Sequence, residues 1–189
     1  GIDDLIYSIM ECVEQEEESY IPEVILPCRN SGGFSSTEVE LDVEKLTNEE
    51  LDLFYENGVE TYQKFTNFLE QESGLALLCG EPGTGKSSFL KNLIASTDCE
   101  FIYCTPENLD ILGDSQFVSF LLEHPKAILI GEDAENVLVA GEVRDKITAN
   151  LLNITDGILS SLLKIKVIFT FNTEVDNLDE ALLRPGRLK

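Results

Sequence analysis

Gly80-Glu81-Pro82-Gly83-Thr84-Gly85-Lys86-Ser87 packs three glycines, a lysine and a hydroxyl into one short span, in the order G-x-x-x-x-G-K-[ST]. Those residue types suit a polyphosphate tail. Glycine reaches positive φ and lets backbone N–H groups close on phosphate oxygens. A helix opening at Lys86 would turn its positive dipole end to the same anion. Lys86 then reaches the β- and γ-phosphates, and the Ser87 hydroxyl faces Mg²⁺. The spacing therefore nominates Glu81, Pro82, Gly83, Thr84, Gly85, Lys86, Ser87 and Ser88 as nucleotide-binding residues, with ATP and Mg²⁺ as the expected cofactors. A second chemical group stands about fifty residues on, where an apolar run leads through Gly131 to Glu132 and Asp133. Adjacent carboxylates at the end of a buried strand suit metal-assisted phosphoryl transfer. Glu132 is assigned to the metal and Asp133 to the attacking water, with Glu135 as a nearby third acid.

Such groups need a frame. Apolar runs at 75–79, 101–104, 127–130 and 167–171 read as strands alternating with helical stretches. Near-continuous apolar strands of this kind imply a parallel sheet covered on both faces. The first run leads into the glycine-rich loop, and Phe89, Leu90, Leu93 and Ile94 follow at helical spacing. Strand, loop and helix are the setting the motif requires. Ile147, Leu151, Ile154 and Ile158 mark another helix face.

Residues 1–72 form a different region, acidic and without a catalytic motif. Leu5, Ile6, Ile9, Met10 and Val13 recur as on an amphipathic opening helix, followed by Glu16, Glu17 and Glu18. Residues 24–26 and 39–43 read as short strands around the turn-like Asn30-Ser31-Gly32-Gly33. Thr47 and Glu50 form a capping-box pattern, and a later helix carries Tyr62, Phe65 and Leu69 on one face. The division expected is 1–72 as a small α+β region suited to docking a partner, and 73–189 as the nucleotide-binding core.

Composition bounds the rest. Thirteen Lys and Arg stand against 36 Asp and Glu, a net charge of −23. That surface repels phosphate backbones and anionic lipid, so no direct nucleic-acid binding is expected. No apolar run reaches the ~20 residues of a membrane span. Five cysteines form no C-x-x-C pair and read as reduced thiols of a cytoplasmic protein. A single histidine, His124, gives little support to a zinc site or a Ser-His-Asp triad.

The segment Val167-Ile168-Phe169-Thr170-Phe171-Asn172-Thr173, then Asp179-Glu180-Ala181-Leu182-Leu183-Arg184-Pro185-Gly186-Arg187, resembles the second region of homology of AAA+ ATPases. The order Glu132-Asp133-Ala134-Glu135 is similar to the branch that includes the mitochondrial Rieske-protein translocase and its bacterial relatives. The resemblance covers about residues 74–189. It implies a P-loop NTPase three-layer sandwich and an oligomeric ATPase that remodels or translocates a protein partner. Asn172 resembles the sensor-1 residue that positions the lytic water. Arg184 and Arg187 match arginine fingers that reach a neighbouring subunit of a homo-oligomeric ring. Two departures stand out. Gly131 replaces an apolar strand residue, which suggests a mobile carboxylate pair. Residues 111–113, in a segment the family turns to a central pore, lack the usual aromatic. The chain opens on Gly1 rather than Met, and at Lys189 the family expects a fifth core strand and a helical lid, so the reading is a fragment. Two alternatives stay open: a nucleotide-dependent switch or scaffold with little turnover, and a small-molecule kinase, for which no basic acceptor cluster is found.

Overall fold

The computed structural model describes residues 21–138 and 142–172. The apolar runs become β3 (Gly74–Cys79), β4 (Phe101–Cys104), β5 (Ile128–Gly131) and β6 (Lys166–Phe171). Neighbours β4–β5, β5–β6 and β6–β3 all pair in parallel. Every residue of β5 and β6 is buried, as covering on both faces demands.

Successive residues of each strand serve opposite layers. Leu75, Ile102, Leu129 and Val167 face one apolar cluster with Phe117, Leu151 and Leu163. Ala76, Phe101, Ile128 and Ile168 face the other with Phe65, Phe89 and Leu93. Ile128, Leu129 and Ile130 are each 0% exposed, and burial of such side chains contributes roughly 1.5–3 kcal/mol apiece. The result is the expected P-loop NTPase sandwich of helix, sheet and helix.

Residues 21–72 join the same sheet. β1 (Glu23–Asn30) and β2 (Gly33–Glu40) form an antiparallel hairpin around Ser31 and Gly32. β1 also pairs in parallel with β4, Val24 beside Phe101 and Ile25 beside Ile102. The order among the described residues is β2-β1-β4-β5-β6-β3. The second strand, expected at 39–43, lies earlier. A tight turn puts Gly33 opposite Asn30, and pairing then runs back from that point. Its polar Ser35, Ser36 and Thr37 suit an edge strand facing solvent.

The capping box forms as expected. Thr47 Oγ1 accepts from the Glu50 amide, and Glu50 Oε2 accepts from the Thr47 amide at 2.8 Å, opening α1 (Asn48–Phe54). A sharp corner follows, in which a Cβ on Gly58 would lie 2.0 Å from the Leu51 carbonyl oxygen. α2 (Gly58–Leu69) then buries Phe65, Phe68 and Leu69, while Tyr62 packs at the margin against Phe89. α3 (Lys86–Ala95) follows the loop and buries Phe89, Leu90, Leu93 and Ile94.

The segment after β4 is a 3₁₀ turn over Pro106–Gly113, followed by α4 (Ser115–Leu122). Ile111 and Leu112 are buried there, so these residues fill the core and do not point outward as a pore segment would. α5 (Glu135–Leu138) and α6 (Glu142–Asp156) come next. Ile147, Leu151 and Ile154 are buried on α6, but Ile158 is 87% exposed. The apolar periodicity fails there because the helix breaks at Gly157, whose Cβ would meet the Asn153 carbonyl oxygen at 2.9 Å. α7 (Ile158–Leu163) restarts after it and buries Leu163. Among the described residues, no helix is long and apolar enough to cross a membrane.

Candidate nucleotide site

Buried β3 delivers the chain to the loop, whose first amide, Gly80 N, donates to Phe171 O at 3.1 Å. The loop's start is thereby fixed to the end of β6. Gly83 and Gly85 take φ of 79° and 86°, the left-handed region that favours glycine. Thr84 Oγ1 donates to Glu81 O at 2.8 Å and folds the loop into a turn. α3 begins at Lys86 with Gly85 as N-cap and no side-chain cap. An uncapped helix start of this kind presents N–H donors and positive potential to an anion. Lys86 Nζ curls over the loop and donates to Gly80 O and Glu81 O, both at 2.9 Å. Its charge therefore sits where a phosphate enclosed by the loop would meet it.

Tyr55, just past α1, braces this loop. Its hydroxyl donates to Gly85 O at 3.1 Å, and its ring packs edge-on against Phe89. A Cβ on Gly85 would touch that ring at 3.0 Å, a second reason for glycine there. Burial pushes the Tyr55 phenol above its ordinary pKa. Beside the loop lies a cavity of about 520 Å³, walled in part by Phe54, Tyr55, Thr61 and Cys79. A flat base could follow the phosphates into it. Burial also pushes the Cys79 thiol up, and the Lys86 charge pulls against that shift.

The carboxylates arrive from β5. The Ser87 hydroxyl donates to Glu132 Oε1, and the Tyr103 hydroxyl donates to Glu132 Oε2 at 2.6 Å. The loop and the first acid, 45 residues apart in the chain, thus meet directly. Asp133 sits at φ 51°, an uncommon conformation for a non-glycine residue, of the kind found at functional sites. Thr170 holds it there: its hydroxyl accepts from Asp133 N at 3.0 Å, and its carbonyl accepts from Ala134 N at 3.0 Å. Asn172, at the end of β6, donates through Nδ2 to Asp133 Oδ1 at 2.7 Å and to Glu135 Oε1 at 2.8 Å.

Gly131 has a packing reason. A Cβ there would lie 2.6 Å from Leu109 Cδ2 and 2.7 Å from the Phe169 ring. The space an apolar residue would fill is already taken, so this glycine marks tight packing and not mobility.

Residues 80–88, Glu132, Asp133 and Asn172 therefore gather at the carboxyl ends of β3, β5 and β6, where open α/β sheets bind ligands. Arg184 and Arg187 lie outside the described residues, as does the opening helix expected before residue 21. Tyr55, Tyr103 and Thr170 escaped the sequence reading. Each is a lone polar handle next to or within an apolar stretch, and that signal alone does not say which neighbour it meets. Burial first, and then the Glu132 and Asp133 carboxylates, raise the Tyr103 phenol well above its usual range.

The donor set at Ser87 and Glu132 is hard oxygen from one hydroxyl and one carboxylate, which fits Mg²⁺. Among the described residues, no cluster of three or more His, Cys, Asp or Glu forms a protein-only metal cage. Mg²⁺ sites that hold the ion through one or two carboxylates and complete the shell with phosphates and water need no such cage.

Loop, helix start and carboxylates on a parallel sheet define a P-loop nucleotide-binding protein. Residues 76–189 match the family model described as "ATPase family associated with various cellular activities (AAA)", and the chain belongs to that family. It is similar to the "Probable mitochondrial chaperone bcs1" of Schizosaccharomyces pombe, 31% identical over 85% of this chain and 36% of that protein. It is also 30% identical to the "Probable mitochondrial chaperone BCS1-A" of Dictyostelium discoideum, over 59% of this chain and 29% of that protein. A further relative is "26S proteasome regulatory subunit 8 homolog B" of Arabidopsis thaliana, 35% identical over 59% of this chain and 30% of that protein. The chain thus spans about a third of the length of these relatives.

Proposed function

We propose that this chain is the nucleotide-binding part of an ATPase that hydrolyses ATP with Mg²⁺ and works in an oligomer on a protein partner. The observation that carries the reading is the meeting of Ser87 with Glu132 beside the meeting of Asn172 with Asp133. One pair is suited to the metal side of a triphosphate and the other to the side of an attacking water.

In this mechanism the amides of residues 80–87 and Lys86 hold the triphosphate tail. Ser87 and Glu132 would hold Mg²⁺, which supplies charge neutralisation on the phosphate oxygens. Asp133 accepts the proton of the attacking water, and Asn172 orients the Asp133 carboxylate through the bond it already makes. Arg184 and Arg187 act in trans, where a guanidinium fork steadies charge on the transferred phosphoryl group. A finger of this kind is worth ~10³–10⁵ in rate.

Work on a protein partner is supported by the family and by the similarity to proteins named as chaperones and as a proteasome subunit. The free thiols Cys28, Cys79, Cys99 and Cys104 suit a reducing compartment, of which the cytoplasm is the one proposed. Turnover is favoured over a silent switch because the packing at Gly131 removes the main argument for a loose carboxylate pair.

The test is ATP turnover of the assembled oligomer. Asp133→Asn should lower kcat by roughly 10²–10⁴ while nucleotide still binds, and Arg184→Ala should lower it by ~10³ or more. Equal turnover in Asp133→Asn and the parent would end the assignment of Asp133 to the attacking water, no turnover in the parent oligomer would end the hydrolytic reading, and an unaltered Arg184→Ala oligomer would end the trans-finger assignment.

A further inference from the structure

We propose that Tyr103 is a positioning residue for the metal-facing carboxylate: its hydroxyl holds Glu132 Oε2, leaving Oε1 turned toward Ser87. The inference rests on the assignment of Glu132 to the metal.

Two observations and the role proposed for Ser87 carry it. Glu132 lies just past β5, with Gly131 as the last paired residue, so no strand ladder fixes it. Its side chain is held by two hydroxyls, one on each carboxylate oxygen. Ser87 is the partner expected to face the metal when a nucleotide is bound, so Tyr103 is the one left to hold the carboxylate in place.

Tyr103 is built for that task. It sits on β4 opposite Ile130 of β5, one residue short of the Cys104–Gly131 pair, which sets its ring beside the point where Glu132 leaves the strand. Behind it lies a mostly apolar cavity of about 290 Å³ bounded by Leu26, Val39, Leu41 and Ile130. Ser87, Lys91 and Glu132 line its polar side, and the hydrogen bond that the Tyr103 hydroxyl makes goes to Glu132. At 2.6 Å this is the short bond expected of a hydroxyl to a carboxylate. A neutral donor also steadies Glu132 without adding a cation that would repel the metal.

The experiment measures binding of a fluorescent ATP analogue to the full chain, first in EDTA and then across a magnesium titration. The parent, Tyr103→Phe, Glu132→Gln and the double variant are compared. The phenyl ring keeps the wall filled and removes only the donor. Expected for Tyr103→Phe is unchanged affinity in EDTA and about a tenfold higher magnesium requirement, the scale of losing one bond to a charged group. Glu132→Gln should raise the requirement at least as far, and the double variant should add nothing to Glu132→Gln, because Tyr103 acts through that carboxylate.

If Tyr103→Phe titrates like the parent while Glu132→Gln shifts, the Tyr103 proposal fails and the Glu132 assignment stands. If neither shifts, the Glu132 assignment fails and takes the proposal with it. Equal weakening of Tyr103→Phe with and without magnesium would make Tyr103 a wall of the fold only, and would also overturn the proposal.

Discussion

The carboxyl ends of β3, β5 and β6 and the β1–β2 hairpin belong to one sheet but are built by different rules. At the first, nearly every side chain is held twice. Glu132 takes two hydroxyls, Asp133 is held through backbone and side chain, and Asn172 bridges two acids. Gly131 is fixed by Leu109 and Phe169. At the hairpin, β2 is mostly exposed, with Ser35, Ser36, Thr37 and Glu38 facing solvent. The difference teaches where sequence is committed to chemistry and where it only needs to remain a soluble strand.

The comparison can be broken at several points. Lys86→Ala should have the largest effect, weakening ATP binding by roughly a hundredfold or more through loss of charge-assisted bonds to phosphate; calorimetric titration would detect it. Gly131→Ala should come next. Forcing a methyl against Leu109 and Phe169 should cost about 1–3 kcal/mol of stability in urea unfolding and lower turnover as the carboxylates shift. Gly32→Ala in the hairpin turn meets only the Asn30 side chain at 3.6 Å, and should change stability by less than about 0.5 kcal/mol. Equal losses at the two glycines would erase the contrast between the regions.

Thr47→Ala tests an intermediate case and should lose about 1 kcal/mol by uncapping α1. The same cap predicts a pH effect. Bonds from the Thr47 backbone and hydroxyl hold the Glu50 pKa below its usual 4.5. A carboxylate with a lowered folded pKa stabilises fully above its unfolded value and loses that contribution as pH falls through the folded one. Acid titration of stability should therefore be shallower below pH ~4.5 in Thr47→Ala than in the parent. Ser36→Ala on the exposed edge should be the smallest change, within about 0.5 kcal/mol by thermal unfolding.

Much of the committed region was legible in the sequence because local order encodes it. The loop's glycines, Lys86 and Ser87 fall on one turn, and the apolar runs announce buried strands. Glu132 and Asn172 were legible because Asn172 directly follows such a run and Glu132 follows one with only Gly131 between. What local order cannot encode is adjacency across the sheet. Nothing between residues 21 and 72 says that β1 lies beside β4, since that pairing joins Val24 to Phe101. For the same reason the partners of Tyr103 and Thr170 were hidden. Gly131 reads in the sequence as a source of mobility, whereas Leu109, 22 positions earlier in the chain, occupies the missing side chain's space. Ile158 misled because helical periodicity continues through Gly157 on paper, whereas the backbone breaks there.

The most direct test is amide NMR of the chain with ATP and Mg²⁺. The account predicts that the largest shifts fall on Gly83, Gly85, Lys86 and Ser87, with smaller ones on Glu132 and Asp133 and almost none along β2. Shifts that spare residues 80–87, or that cluster on the hairpin, would contradict it.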